Sequence, residues 1–185
     1  MAKEIELKIF RISKKEVLSR LKKLHAKYIT THNFKRLVFV KNKSSTNGQT
    51  LRLRTDGQKN TLTFKNLTGG RGLDRVDEYE TEVKDFDATA KIIGKLFKNV
   101  LYFENRRIEY RLKGVTISID KWPFIPWHVE IEGKRQKSVL DAYKRLKIKG
   151  KNMGNVSAGE AYKIYGLDYM KIGTGNSKKL HILKN

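Results

Sequence analysis

Five residues near the start, Glu4-Ile5-Glu6-Leu7-Lys8, constrain what the rest of the chain can build. Successive side chains of a strand leave on opposite faces, so Glu4, Glu6 and Lys8 share one face while Ile5 and Leu7 share the other. A half-buried strand with a wet charged face shows the same alternation. The constraint lies in recurrence. Val129-Glu130-Ile131-Glu132 again sets two acids around an apolar residue, and strands between the two stretches carry Arg or Lys at alternate positions. The fold must gather many short strands, each with an apolar face to bury and a charged face to accommodate.

Along the chain, Ser13 and Glu16 have capping-box spacing and open a helix with the apolar stripe Val17, Leu18, Leu21 and Leu24. Asn33 to Val40 reads as a strand and Lys41 to Gly48 as a polar loop. Leu51 to Arg54 and Thr61 to Lys65 alternate on either side of a hairpin turn at Asp56-Gly57. Arg52, Arg54, Thr61, Thr63 and Lys65 therefore share a face opposite Leu51, Leu53, Leu62 and Phe64. Gly69-Gly70-Arg71-Gly72 reads as a bend, because it lacks the strand-to-helix setting of a phosphate loop.

Val76 to Val83 presents Glu78, Glu80 and Glu82 in alternation. A second helix is expected from about Asp87 to Phe97, burying Ala88, Ile92, Ile93, Leu96 and Phe97. A strand pair follows, with Arg107, Glu109 and Arg111 at one parity of the first strand and Thr116, Ser118 and Asp120 at one parity of the second. Trp122 to Trp127 is a Pro- and aromatic-rich crossing rather than sheet interior. His128, Glu130 and Glu132 share the next strand face. Ser138 to Leu146 reads as a third helix, and Ser157 caps a short one reaching Tyr165. Residues 1–172 are expected to form a single domain and 173–185 a polar tail.

Lys and Arg number 41 against 19 Asp and Glu, a formal net charge of +22. That excess suits a polyanionic partner such as nucleic acid, nucleotide or polyphosphate, and equally suits solubility. There is no cysteine, which excludes disulfides and thiolate chemistry. No stretch reads as a signal peptide or a membrane span, so a cytoplasmic location without membrane association is expected. Homodimerisation is left open.

About eight strands with dispersed helices allow two architectures. An open sheet with helices on one face would leave the charged residues in water. A closed antiparallel eight-stranded β-barrel of the α+β class, with helices packed outside, would instead gather them into a channel. Mixed charge in a confined space needs pairing, metal or a bound anion, because isolated buried charge is costly. The closed barrel is the expectation carried forward.

At these residues the chain resembles the CYTH superfamily, the triphosphate tunnel metalloenzymes, which include class IV adenylyl cyclases, thiamine triphosphatases and inorganic triphosphatases. The resemblance spans roughly residues 1–170. It rests on the Glu-x-Glu-x-Lys of Glu4, Glu6 and Lys8, then Arg52 and Arg54, Lys65, the Glu78/Glu80/Glu82 strand, Arg107 and the Glu130/Glu132 pair. Trp122 to Gly133 and Tyr162 to Leu167 look like the cyclase-like branch. One position departs from the pattern: where family members often carry the lysine of a Lys-x-Arg pair stands Asn105 if Arg107 is the pair's arginine, the preferred frame, or Glu104 if it is Arg106.

The resemblance implies an enzyme acting on a triphosphate inside the barrel, and charge chemistry supports the same residues. Lys8, Arg52, Arg54, Lys65 and Arg107 can bind the phosphates through charge-assisted hydrogen bonds. Glu4, Glu6, Glu130 and Glu132 offer hard oxygens to Mg2+ or Mn2+. Glu78 and Glu80, with Glu4, Glu6 and Lys8, complete the catalytic set, positioning a metal or a water. Hydrolysis of tripolyphosphate or of an organic or nucleoside triphosphate is the preferred reading. Cyclisation of ATP to cyclic AMP and pyrophosphate is the alternative, and needs a base pocket that no stretch of the chain identifies. A non-enzymatic module binding nucleic acid or polyphosphate is the third reading, and weak nucleic-acid binding is compatible with either activity.

Overall fold

The computed structural model describes residues 2–40, 49–67, 73 and 76–177. The loop read at Lys41 to Gly48, the bend at Gly69 to Gly72, residues 178–185 and the side chain of Glu4 lie outside that description. In chain order the elements are β1 (Ala2–Phe10), α1 (Lys14–Lys23), β2 (Lys27–Val40), β3 (Gln49–Thr55), β4 (Asn60–Leu67), β5 (Val76–Glu82) and α2 (Phe86–Leu96). They continue with β6 (Asn99–Leu112), β7 (Val115–Lys121), β8 (His128–Gly133), α3 (Gln136–Leu146), β9 (Lys151–Gly154), α4 (Ala158–Lys163) and α5 (Tyr169–Ser177).

The strands form one nine-stranded antiparallel sheet in the order β5-β4-β3-β2-β6-β7-β8-β1-β9. This corrects the closed eight-stranded barrel expected above. The reason lies in the second edge of β1. Its first residues pair with β5 at three positions, from Ala2 opposite Glu78 to Glu4 opposite Val76. Beyond them the Glu6 N–H donates instead to the Leu73 carbonyl at 3.2 Å, and from Lys8 to Phe10 the edge belongs to β9. One edge thus serves two partners in succession, and a ladder divided in this way cannot run as a uniform cylinder. The sheet is a curled half-barrel, pinned at one end of β1 and open along the rest.

Curling gives the sheet an outer and an inner face, and period two sorts residues between them. On the outer face Leu7, Ile9, Ile117, Ile119, Val129 and Ile131 are buried against Val17 and Leu21 of α1 and Val139, Ala142 and Leu146 of α3. A second outer cluster joins Leu37, Phe39 and Leu53 to Ala90 and Ile93 of α2. The stripe on α2 differs from expectation: Ile92 and Leu96 are exposed, and the buried edge runs through Phe86, Ala90 and Ile93 to Phe97. These follow the i, i+3, i+4 spacing from a start one residue earlier, capped by the Asp85 side chain accepting the Ala88 N–H.

The third cluster lies on the inner face. Phe10, Val38, Val40, Leu101, Phe103 and Trp122 pack with Val156, Ala161 and Tyr162. Tyr162 comes from α4, whose Ser157/Glu160 capping box is complete. At α1 only half of the expected box forms: Ser13 accepts the Glu16 N–H, while the Glu16 carboxylate accepts from Lys149 N–H. α5 occupies part of the stretch read as a tail and lies on β6, with Tyr169 stacked on Phe103 at 4.7 Å between ring centroids. This aromatic packing fills one end of the concavity and leaves polar side chains along the remainder.

Candidate metal and phosphate site

Two arrays of charge share the inner face. The first is carried by β6, β7, β8 and β1. Cross-strand register places Arg107 opposite Asp120, Asp120 opposite His128, and Glu130 between Ser118 and Lys8. Arg107 Nη2 donates to Asp120 Oδ2 at 2.7 Å and also to Glu130 Oε2. Its Nε donates to Asp120 Oδ1 at 3.0 Å. Burial works against the Arg107 charge, but the two carboxylates more than offset it and raise its pKa. Burial would likewise raise the Glu130 carboxyl, yet Arg107 and then Lys8 hold it well below the ordinary carboxylate range. Both groups are therefore ionised in the folded chain.

Asp120, His128 and Glu130 are all buried, and one ligand atom from each lies within 4.8 Å of the others. His128 is fully buried between Phe10, stacked at 4.9 Å, and Trp122, edge-on at 4.8 Å. Neither ring nitrogen has a hydrogen-bond partner among the described residues, and Nε2 stands 3.9 Å from Glu130 Oε1. A buried imidazole without partners is costly, and coordinating a cation would satisfy it. Two carboxylates and an imidazole are a fitting donor set for a first-row divalent metal.

The second array lies on β3, β4 and β5. Lys65 Nζ contacts Glu78 Oε2 at 2.9 Å, and Arg52 reaches Glu78 at 3.7 Å and Glu80 at 3.5 Å. Thr63 accepts from Arg52 Nη2 at 3.1 Å and donates to Glu80 at 2.7 Å. Arg54 stands 3.8 Å from Glu80 and over the Phe34 ring at 4.4 Å. Burial first, then Arg52, Arg107 and Arg36, lower the Arg54 pKa to about 9. Repulsion from Arg107 joins the two arrays electrostatically: cations of the second press on cations of the first.

The expected site residues thus occupy different parts of the concavity. Of the four acids expected to hold metal, Glu130 belongs to the buried cluster, Glu6 is buried and paired with Lys8, and Glu132 lies at the exposed end of β8. The fourth is Glu4, whose backbone pairs with Val76. Arg52, Arg54 and Lys65 line one wall with Glu78 and Glu80, while Arg107 grips the two buried acids. Sequence reasoning did not name His128 as a ligand, although its parity with Glu130 carried that signal. Arg36 was not named at all, because apolar residues sit on both faces of its strand.

A profile of the CYTH domain matches residues 2–154. The chain belongs to the CYTH family. Among solved structures, this CYTH chain is similar to the PH1012 protein of Pyrococcus horikoshii OT3, at TM-score 0.66 and 24% identity over 79% of this chain and 91% of that one. The PH1819 protein of the same organism matches at TM-score 0.66 and 17% identity, covering 89% of this chain and 99% of its own. The adenylyl-cyclase-like HpAC1 of Hippeastrum, described with a dominant triphosphatase activity, matches at TM-score 0.63 and 19% identity over 88% and 96%. At these identities the likeness is one of fold. No curated protein matches the chain in sequence. The CYTH match and the Asp120/His128/Glu130 cluster are consistent with metal-dependent triphosphate hydrolysis.

Proposed function

We propose that this CYTH chain hydrolyses a triphosphate, inorganic tripolyphosphate or an organic triphosphate, using a divalent cation. The observation that carries the reading is the sharing of one concavity by a compressed cation array and a buried Asp-His-Glu cluster. A triphosphate suits both: its oxygens add to, or replace, those of Glu78 and Glu80 around Arg52, Arg54 and Lys65, and they give a reason to hold a metal beside them.

Asp120, His128 and Glu130 would hold the cation, with Mn2+ favoured over Mg2+ by the imidazole donor. When bound it supplies Lewis-acid stabilisation of phosphate oxygens and a lowered pKa for water. Arg107 orients both carboxylates and, with Lys8, keeps Glu130 ionised. Arg52, Arg54 and Lys65 bind the phosphate chain, releasing their present carboxylate partners or sharing them. Glu78 and Glu80, placed beside these cations, orient a water toward the terminal phosphorus. Water attacks there, the bond to the bridging oxygen breaks, and pyrophosphate or a diphosphate leaves with the bonding electrons.

The test is incubation of tripolyphosphate and ATP separately with the full chain and Mn2+ or Mg2+, resolving phosphate, pyrophosphate and cyclic AMP. Phosphate release without cyclic AMP is expected. Cyclic AMP with stoichiometric pyrophosphate would replace this reading with the cyclase one, and no turnover of either substrate would overturn both.

A further inference from the structure

Arg36 lies in the same concavity but outside the motif residues considered so far. Register sets it directly opposite Arg54 on β3 and opposite Phe103 on β6. Like charges facing each other across an antiparallel pair are destabilising. The guanidinium is buried, 5.3 Å from the Trp122 ring centroid, and its Nη2 donates to Asn105 Oδ1, a neutral acceptor. Among the described residues it has no carboxylate within ion-pair distance, and its buried Nε has no hydrogen-bond partner. Asp120 acts on it only through space and is already held by Arg107. Burial, then Arg52, bring the Arg36 pKa down to about 10.

As a structural element this arrangement is poor. A planar fork of donors, desolvated, facing another arginine and bonded to an uncharged amide, gains little by staying charged. As an anion receptor it is preorganised: the guanidinium carbon lies over the Trp122 ring, Asn105 accepts from one nitrogen, and Arg54 stands opposite across the β2–β3 pair. Asn105 also stands where the resemblance to the CYTH family implies a lysine, on β6 beside the place where Arg36 brings a cation from β2. We infer that Arg36 is a phosphate-binding residue that supplies, from the neighbouring strand, the cationic contact absent at position 105. The inference rests on the triphosphate reading above and adds a binding residue to it.

The test is calorimetric titration of tripolyphosphate into the metal-stripped full chain, for wild type, R36Q and R36Q/N105K, with a thermal melt of each. Wild type is expected to bind. R36Q keeps a hydrogen-bonding side chain toward Asn105 and is expected to melt no lower than wild type, yet to bind about 10- to 100-fold more weakly. The double variant is expected to recover most of that loss, which a merely structural role for Arg36 would not allow. R36Q binding within about twofold of wild type overturns the inference, as does a loss that N105K does not recover. If R36Q does not fold, R36K keeps the charge and loses the fork: about tenfold weaker binding supports the inference, and unchanged binding overturns it. Wild type that fails to bind tripolyphosphate overturns this inference and leaves the hydrolysis reading to its own assay with metal, whereas the variant results act on Arg36 alone.

Discussion

His128 shows how little separates a structural residue from a functional one. It is packed like a core aromatic between Phe10 and Trp122, yet among the described residues its ring nitrogens have no hydrogen-bond partner, beside the carboxyl groups of Asp120 and Glu130. Phenylalanine has nearly the same shape, so H128F should fold as wild type does while losing the nitrogen donor. Calorimetric titration of the metals should show Mn2+ binding weakened by about 100-fold and Mg2+ binding changed by less than about threefold, because the imidazole suits the softer ion. Equal losses for both ions would mean that His128 supports the carboxylates without coordinating. Parity alone placed His128 beside Glu130 in the linear sequence. The orphaning of its nitrogens became visible only once Phe10 and Trp122 had closed over the ring.

At the level of elements, the β3–β4 hairpin turns on Asp56, whose Oδ1 accepts the N–H groups of Gln58 at 2.9 Å and Lys59 at 2.8 Å. Its Oδ2 meets His32 Nδ1 at 2.7 Å. Burial pushes this carboxyl up, but the two N–H groups and His32 together hold it below its ordinary value of 3.8. A depressed carboxylate pKa contributes stability that is complete above the unfolded value, about 4, and is lost as pH falls through the folded one. D56N should therefore be less stable than wild type at neutral pH, with the difference shrinking as pH falls below about 4. Urea midpoints measured across that range check it. α5 offers a packing test. A Cβ at Gly173 would come within 2.6 Å of Leu101 Cβ and 2.7 Å of Phe103, so G173A must lift the helix from β6. A loss of about 1–3 kcal/mol is expected, read by chemical denaturation. The Asp-Gly turn and its flanking alternation were legible along the chain. α5 was not, because its Gly-rich segment carries a weak helical signal and is held by β6 rather than by its own propensity.

For the whole molecule, the pinned end of β1 is the point of interest. β1 meets β8 over a five-residue register, Ile5 to Ile9, above a core cluster, but meets β5 over only three pairs. Local opening follows such differences. Hydrogen exchange should release the amides of the β1–β5 pairs well before those between β6 and β7, at least about tenfold faster, and equal protection would mean that the seam is as strong as the central ladder. Alternation along each strand was enough to assign Glu6, Lys8, Arg52, Arg54, Lys65, Arg107 and Glu130 to polar faces, because successive Cβ atoms of an extended chain must diverge. It was enough, too, to place the outer cores of α1 and α3. Which edges meet is a different kind of fact. That β1 divides its edge between β5 and β9, that β9 exists in so short a polar stretch, and that Arg36 faces Arg54 all depend on hydrogen bonds between distant segments. Backbone donors and acceptors are the same for every residue type except proline, so the partner of a strand is not written in its own side chains. It is settled only when the whole sheet has curled.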